Sequence, residues 1–276
     1  MSQNGAGAHS ERVQIERVGE DGRIADVRLV RTDKHNALDF AMFQALDAVS
    51  AELAEDQAVR AVVLSGDGPS FCSGLDFPSF MASGKDLREV LFGHETGDPA
   101  NLAQRVTYNW LRMPAPVIAA LHGNCLGGGS QLALGADVRF AGPDLKFSVL
   151  EIKYGLIPDM GITQSLPALV PMDVAKELVW SGRIVGADEA KELGLVTHLA
   201  DDPHAAAMEL AEEIASKSPN AIRHGKRLLN SAYNSTVERS LELEEELQRK
   251  LLGSPNQIAA VTAAMTKEPA KFADPA

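Results

Sequence analysis

Short apolar runs alternate with helical patterns over the first two-thirds of the chain, and this alternation limits the fold more than any other feature. A hairpin is predicted first, because two such runs flank the turn-forming Gly-Glu-Asp-Gly sequence at 19–22. Strands are predicted at 13–18, 23–30, 60–65, 117–121 and 137–141, and helices at 39–53, 101–113 and 128–135. Strands separated by helices favour an α/β fold built from repeated β-β-α turns.

The residues from about 188 onward carry an almost continuous helical pattern. Helices are predicted at 203–217, 219–233 and 236–252, and two of them begin with a proline. Residues 75–98 receive no clear assignment, because three glycines interrupt them. We therefore divide the chain into a disordered tail at 1–10, a core at 11–199 and a helical C-terminal region at 200–276.

The charge balance excludes several classes of partner. The 276 residues include 26 basic and 38 acidic side chains, which gives a formal charge of −12. Such a chain repels nucleic acid and anionic membrane surfaces, and no apolar run approaches the roughly 20 residues of a membrane-spanning helix. Two cysteines without zinc-site spacing, and a start without an apolar signal segment, predict a reduced cytoplasmic protein. We expect no nucleic acid, membrane or metal as partner.

A glycine-rich sequence at 123–131, Gly-Asn-Cys-Leu-Gly-Gly-Gly-Ser-Gln, lies between a predicted strand and a predicted helix. Backbone N–H groups in such a place can hold an anion or a developing oxyanion. The dinucleotide-binding pattern fails, because Leu132 stands where a glycine or small residue is needed, and no Gly-Lys-Ser/Thr sequence follows. A tight turn that needs glycine only for packing is the alternative.

A second turn of small residues, Phe-Cys-Ser-Gly-Leu-Asp at 71–76, follows another predicted strand. Alone it is weak evidence, since such turns follow many strands. Together with Pro-Val-Ile-Ala-Ala-Leu-His-Gly at 116–123 and the glycines at 127–129, it resembles the enoyl-CoA hydratase/isomerase (crotonase) superfamily. The resemblance continues at 31–38, 136–139, 147–158 and 187–196, and so covers most of the chain in order.

The resemblance implies an α/β crotonase-like spiral of β-β-α turns with a helical C-terminal region that forms a homotrimer or a dimer of trimers. It implies a thioester of coenzyme A as the substrate, and no separate cofactor. By position, the backbone N–H groups of Ser73 and Gly128 would form an oxyanion hole around the thioester carbonyl. Loss of one such donor typically costs about 3–4 kcal/mol of transition-state stabilisation.

The residues that contact coenzyme A are also assigned by the resemblance. They are Arg31, Lys34, Ala37, Leu75, Asp76 and Lys267. Because the chain is acidic overall, the phosphates must be held by the few local cations among these residues. We therefore expect the affinity for coenzyme A to weaken with salt.

Proton transfer next to a thioester needs a titrating side chain. Hydratases of the superfamily use two glutamates, and the first of these positions is Gln131 here, whose amide cannot serve as a general base. The second position matches Glu151. From its neighbours alone, Glu151 is either a surface residue or a buried carboxyl with a raised pKa, and the resemblance favours a catalytic role.

A further carboxylate, Asp159, follows Pro158 where hydratases usually have glycine and where dienoyl-CoA isomerases of the superfamily have aspartate. The sequence Leu-Ile-Pro-Asp-Met-Gly at 156–161 resembles the isomerase version, although the isomerases' additional acidic residue is again Gln131 here. If the loop doubles back, Glu151 could remove a proton and Asp159 deliver one further along the acyl chain. A solvated Pro-Asp turn is the alternative.

These residues predict an enzyme that isomerises a double bond of an unsaturated acyl-CoA, either 3-enoyl or 3,5-dienoyl, with Glu151, Asp159 and Gln131 in its catalytic site. Two alternatives stay open: a 2-enoyl-CoA hydratase, which is a lyase of fatty-acid β-oxidation, and a catalytically silent trimer that binds acyl-CoA. Nucleophilic catalysis is poorly supported, because no Gly-X-Ser-X-Gly sequence occurs. Cys72 and Cys125 are expected to be small buried fillers.

Overall fold

The computed structural model describes residues 10–275 except residues 85 and 96. Residues 1–9 of the predicted tail therefore lie outside the described residues, whereas Ser10 Oγ accepts a hydrogen bond from Val13 N–H at 2.8 Å. The strands are β1 (Val13–Val18), β2 (Ile24–Leu29), β3 (Ala61–Gly66), β4 (Val117–Leu121), β5 (Asn124–Leu126), β6 (Val138–Ala141), β7 (Lys146–Ser148), β8 (Val185–Gly186) and β9 (His198–Leu199).

The helices follow the predicted pattern and add several short elements. They are α1 (Phe40–Glu55), α2 (Phe77–Ser83), α3 (Leu87–Leu91), α4 (Leu102–Arg112), α5 (Gly128–Leu134), α6 (Leu166–Leu169), α7 (Met172–Ser181), α8 (Ala187–Leu193), α9 (Pro203–Ala215), α10 (Pro219–Ala232), α11 (Val237–Leu251) and α12 (Pro255–Thr266). Single 3₁₀ turns occur at Glu20–Gly22, Thr32–Lys34, Glu151–Tyr154 and Ile162–Gln164.

Two sheets organise the described residues. The larger has the strand order β1-β2-β3-β4-β6-β9, in which only the β1–β2 hairpin is antiparallel. The smaller has the order β5-β7-β8, with β5 parallel to β7. Successive turns of the chain place one strand in the larger sheet, the next in the smaller sheet and then a helix, as in β4-β5-α5 and β6-β7-α6. This confirms the predicted α/β class and its repeated β-β-α turns.

Both faces of the larger sheet are covered, which explains why β3 has no exposed residue. Val62 and Leu64 point into the main core beneath α1 and α4, whereas Ala61 and Val63 point to the opposite face. There they meet α9, whose small residues Ala207 and Ala211 are both fully buried. The first helix of the predicted C-terminal region (200–276) is therefore part of the packing of the core.

A buried ion pair ties α10 to the core. Lys226 Nζ lies 2.7 Å from Asp137 Oδ2, and it also donates hydrogen bonds to the carbonyl oxygens of Trp110 and Ala115. Burial lowers the pKa of Lys226, while the Asp137 carboxylate opposes that shift. The same carboxylate oxygen also accepts a hydrogen bond of 2.7 Å from Val117 N–H, so that α4, β4 and α10 are joined at one point.

Among the residues that the structure describes, no helix combines the length and apolar character needed to cross a lipid bilayer.

Candidate active site

The two small-residue turns lie side by side at the ends of neighbouring strands. Cys72 and Cys125 face each other in a parallel bridge, and Leu75 forms a second parallel bridge with Leu38. Gly74 takes a positive φ of 91°, and a methyl group on its Cα would lie 2.7 Å from the carbonyl oxygen of Leu126 and 3.6 Å from Gly128 N. Only glycine permits this close approach, which brings the turn at 71–76 against the first residue of α5.

The N–H group of Ser73 is not available to a ligand, which corrects the prediction that it contributes to an oxyanion hole. It donates a hydrogen bond of 3.0 Å to the carbonyl oxygen of His35. His35 and Asn36 both have positive φ, and this sharp turn directs the His35 carbonyl toward Ser73.

The N–H group of Leu75, two residues further on, has no acceptor among the described residues. The Gly128 N–H is likewise free, as expected for the first residue of a helix. The strand bridge uses Gly74 O and Asp76 N–H to pair with Leu38, which leaves the Leu75 N–H on the other edge. Two unpaired donors, on Leu75 and Gly128, therefore flank Gly74.

The close approach at Gly74 gives a testable expectation. Gly74→Ala forces an L-residue into positive φ and also places its methyl group against the Leu126 carbonyl. Gly253→Ala is the matched control, because Gly253 has a φ of 76° with no atom within 4 Å of an added methyl group. We expect the control to lose about 1–2 kcal/mol of unfolding free energy and Gly74→Ala to lose more. Equal losses in urea denaturation would show that the turn relaxes without cost.

Glu151 opens a 3₁₀ turn and turns its carboxylate toward the glycines. A methyl group on Gly127 would lie 3.6 Å from Glu151 Oε1. That oxygen accepts a hydrogen bond of 2.6 Å from Gln131 Nε2, whereas Oε2 is buried and has no partner among the described residues. Burial raises the pKa of Glu151, and the hydrogen bond from Gln131 partly opposes this shift. Glu151 is thus half-buried rather than a surface residue, with one free oxygen.

Gln131 is held at both ends of its amide. Its Nε2 donates to Glu151, and its Oε1 accepts a hydrogen bond of 2.8 Å from Met160 N–H. The side chain is buried within α5, so this geometry is fixed by packing. Gln131 therefore joins the Glu151 turn to the backbone that follows Asp159.

Asp159 is half-buried, and burial raises the pKa of its carboxyl. Its negative charge also raises the pKa of Glu151, which places the two carboxylates within electrostatic reach of each other. Two carboxyl groups in such a relation favour a state in which one of them holds a proton. The hydrogen bond from Met160 N–H to Gln131 Oε1 places the backbone next to Asp159 at the far end of the amide that contacts Glu151.

Three of the residues predicted to contact coenzyme A bond mainly to each other. The guanidinium of Arg31 lies 2.7 Å from the carboxylate of Asp76 and 3.5 Å from that of Asp39, and it donates to the Ala37 carbonyl. Asp76 also caps α2 by accepting hydrogen bonds from Ser79. These contacts lower the pKa of Asp76 against the effect of its burial. The charge of Arg31 is thus compensated within the protein.

Lys34 and Lys267 are the exposed cations of the predicted coenzyme A site. Lys34 ends the 3₁₀ turn Thr32–Lys34, close in sequence to Ala37. Lys267 follows α12 in a left-handed conformation. No ion pair within the described residues involves either side chain. The contacts of all six residues with coenzyme A remain predictions.

Cys72 and Cys125 are fully buried free thiols, as expected for small fillers. Burial raises the pKa of Cys72 to about 12 and that of Cys125 well above its usual value, so neither forms a thiolate near neutral pH. In the described part of the chain, no group of three His, Cys, Asp or Glu side chains is arranged to hold a metal ion.

Comparison with known proteins shows the family to which this chain belongs. The sequence profile of the enoyl-CoA hydratase/isomerase family matches residues 19–275. The chain is an enzyme of the enoyl-CoA hydratase/isomerase family. Among its relatives, the mitochondrial Delta(3,5)-Delta(2,4)-dienoyl-CoA isomerase of Mus musculus is 34% identical over 257 residues, which are 90% of this chain and 78% of the mouse protein.

Other relatives of this hydratase/isomerase family enzyme carry a different activity in their names. The short-chain-enoyl-CoA hydratase of Clostridium acetobutylicum is 32% identical over 251 residues, which cover 90% of this chain and 93% of that protein. The crystal structure of an enoyl-CoA hydratase from Bacillus anthracis matches with a TM-score of 0.85 at 27% identity, covering 95% of this chain and 98% of that one. The match confirms the crotonase-like fold, while the relatives include both isomerases and hydratases.

Proposed function

We propose that this enzyme isomerises a double bond of a 3-enoyl-CoA or 3,5-dienoyl-CoA, with Glu151 as the base and Asp159 as the acid. The observation that carries the proposal is the Glu151 carboxylate, which has one buried oxygen without a partner among the described residues and the other held by the Gln131 amide. The other end of that amide accepts a hydrogen bond from Met160 N–H, the residue after the half-buried Asp159. The hydrogen bond from Gln131 stabilises the ionised form of Glu151. In the proposed division of roles, Glu151 acts as the ionised base and Asp159 carries the proton that isomerisation delivers.

The proposed steps balance without water or an oxidant. Glu151 takes a proton from the carbon next to the thioester carbonyl, and the electron pair of that C–H bond moves into an enolate conjugated with the double bond. The N–H groups of Leu75 and Gly128 stabilise the enolate oxygen. Asp159 then gives its proton to the far end of the conjugated system, so that the double bonds shift toward the carbonyl. Proton exchange with solvent restores both carboxyls.

Gln131 supports this chemistry by positioning. Its amide oxygen accepts a hydrogen bond from Met160 N–H, and one of its amide N–H groups donates to Glu151. Hydratases of the superfamily have two glutamates at these positions, whereas here one partner is an amide already engaged at both ends. The proposed steps use only groups of this chain, and coenzyme A enters as part of the substrate.

A 2-enoyl-CoA hydratase is the second candidate, and the hydratase names of several relatives favour it. Glu151 would then activate a water molecule that attacks the carbon two bonds from the carbonyl. Asp159 would return the proton to the carbon next to the carbonyl.

A three-substrate assay separates the two activities. Purified protein is offered a 2-enoyl-CoA, a 3-enoyl-CoA and a 3,5-dienoyl-CoA, and the products are identified by mass and by ultraviolet absorbance. We expect the second and third substrates to be converted without gain of mass. Fast addition of water to the first, with the other two unchanged, would reject the isomerase proposal.

Assembly and binding strength belong to the same proposal. We expect a homotrimer or a dimer of trimers, and therefore a solution mass three or six times the 29.4 kDa of the chain.

Because Arg31 is paired with Asp76, the affinity for coenzyme A should depend on Lys34 and Lys267 and should weaken with salt. The cytoplasmic location stays a prediction from the cysteine content.

A further inference from the structure

Two aromatic side chains join the two elements that carry the proposed catalytic groups. Phe77 begins α2, two residues after Leu75, and Tyr154 ends the 3₁₀ turn that Glu151 begins. The centroids of the two rings lie 4.6 Å apart, and the ring planes are tilted by 39°. This spacing is that of a direct aromatic contact. The ring pair therefore bridges the oxyanion side of the site and the base side.

The local backbone places both rings next to residues of the proposed site. In a 3₁₀ helix the side chains at positions i and i+3 eclipse each other, so Tyr154 lies on the same face as Glu151. Phe77 is held by the Asp76 cap, which accepts hydrogen bonds from Ser79 and pairs with Arg31. The ring pair thus joins the turn that carries Glu151 to the segment that carries Leu75.

The folded core does not require the pair. Tyr154 is 53% exposed. Leu156 and Ile157, which follow it, are exposed as well, the latter at 74%. A group of exposed large apolar side chains beside a catalytic site marks a surface that binds an apolar ligand.

We propose that Phe77 and Tyr154 form a specificity wall that favours flat, conjugated acyl groups, dienoyl or aryl-conjugated, over flexible saturated chains of equal length. The proposal rests on the proposed function, in that it takes acyl-CoA as the ligand of the site. A conjugated acyl chain presents a planar π-face to the rings and has few rotatable bonds to immobilise. A saturated chain offers the rings less contact and loses more conformational freedom on binding.

The test measures binding rather than turnover, in the Glu151→Gln background so that neither isomerisation nor hydration consumes the ligand. The probes are hexa-2,4-dienoyl-CoA, hexanoyl-CoA and free coenzyme A, and calorimetry gives their dissociation constants. We expect the dienoyl probe to bind about two- to tenfold more tightly than hexanoyl-CoA, the range typical of one aromatic contact. Tyr154→Leu and Phe77→Leu should each bring this ratio toward one.

Two further variants separate the wall from a general effect on the fold. Tyr154→Phe keeps the ring and should therefore keep the ratio of the two dissociation constants. Tyr233→Leu removes an exposed tyrosine from the end of α10 and should also leave this ratio unchanged. An unchanged ratio in Tyr154→Leu overturns the wall. An equal loss for all three ligands also overturns it, because the rings would then contact coenzyme A itself.

Failure of the wall and failure of the proposed function give different results. If the parent protein binds no acyl-CoA, the proposed function fails and the wall fails with it. If binding is intact and the dienoyl preference does not respond to ring removal, only the wall fails.

Discussion

Glu151→Gln should lower turnover by orders of magnitude and leave substrate binding intact. The substitution keeps the size of the side chain but removes the carboxylate that accepts the proton. General acid–base catalysis of this kind typically contributes about 10²- to 10⁴-fold to the rate, and we expect kcat to fall by that factor. Steady-state kinetics with the preferred substrate, together with calorimetric binding of a saturated acyl-CoA, measures both quantities.

The same residue predicts a pH dependence. The pKa of Glu151 is raised, and the base must be ionised, so activity should fall as the pH drops through a value above the ordinary glutamate range. The proposed acid must be protonated, so a second loss is expected as the pH rises and the remaining proton leaves the pair. The result is a bell-shaped profile whose two limbs belong to the carboxyl pair.

Glu244→Gln is the control for Glu151→Gln, because Glu244 is an exposed carboxylate on α11 and should leave kcat unchanged. If Glu151→Gln keeps full turnover, Glu151 is not the base. If the parent protein itself shows no turnover but binds acyl-CoA, the chain is a silent binder.

Asp159→Asn should stop isomerisation while leaving proton exchange at the carbon next to the carbonyl. Without a proton donor at the far end of the conjugated system, the double bond cannot move, and we expect the isomerisation rate to fall by at least about 10²-fold. Glu151 and the two N–H donors still form the enolate. In deuterated water the substrate should therefore gain deuterium next to the carbonyl, which mass spectrometry detects.

The two substitutions thus differ in one measurable respect, since Glu151→Gln should lose this exchange as well. Asp173→Asn, at the exposed start of α7, is the control. Unimpaired isomerisation in Asp159→Asn would mean that Asp159 belongs to a solvated turn and not to the site.

The sequence predicted the elements whose local signals agree with their tertiary environment. Asp39 ahead of a helical pattern predicts α1, and in the structure its carboxylate accepts a hydrogen bond from Met42 N–H at 2.8 Å. At 75–98 the interrupting glycines concealed α2 and α3. A helix-start signal was present there, because Asp76 is followed by a proline at the second position of α2.

Within the site, the residues themselves were easier to predict than their hydrogen-bond partners. Glu151 and Gln131 are joined by a hydrogen bond, and the role of Gln131 also depends on Met160 N–H, which is distant in sequence. The Ser73 assignment was wrong because the fate of its N–H depends on the His35 carbonyl, which only the folded chain brings near. No local pattern reveals which N–H a remote carbonyl will use.

A crystal structure with an unreactive acyl-CoA analogue bound tests the central claim most directly. The claim is that Glu151 and Asp159 act at two ends of one unsaturated acyl chain. We predict the thioester oxygen within about 3 Å of Leu75 N and Gly128 N, a Glu151 oxygen beside the adjacent carbon, and Asp159 beside the far end of the chain. A water molecule held between Glu151 and the acyl chain, with Asp159 turned to solvent, would contradict it.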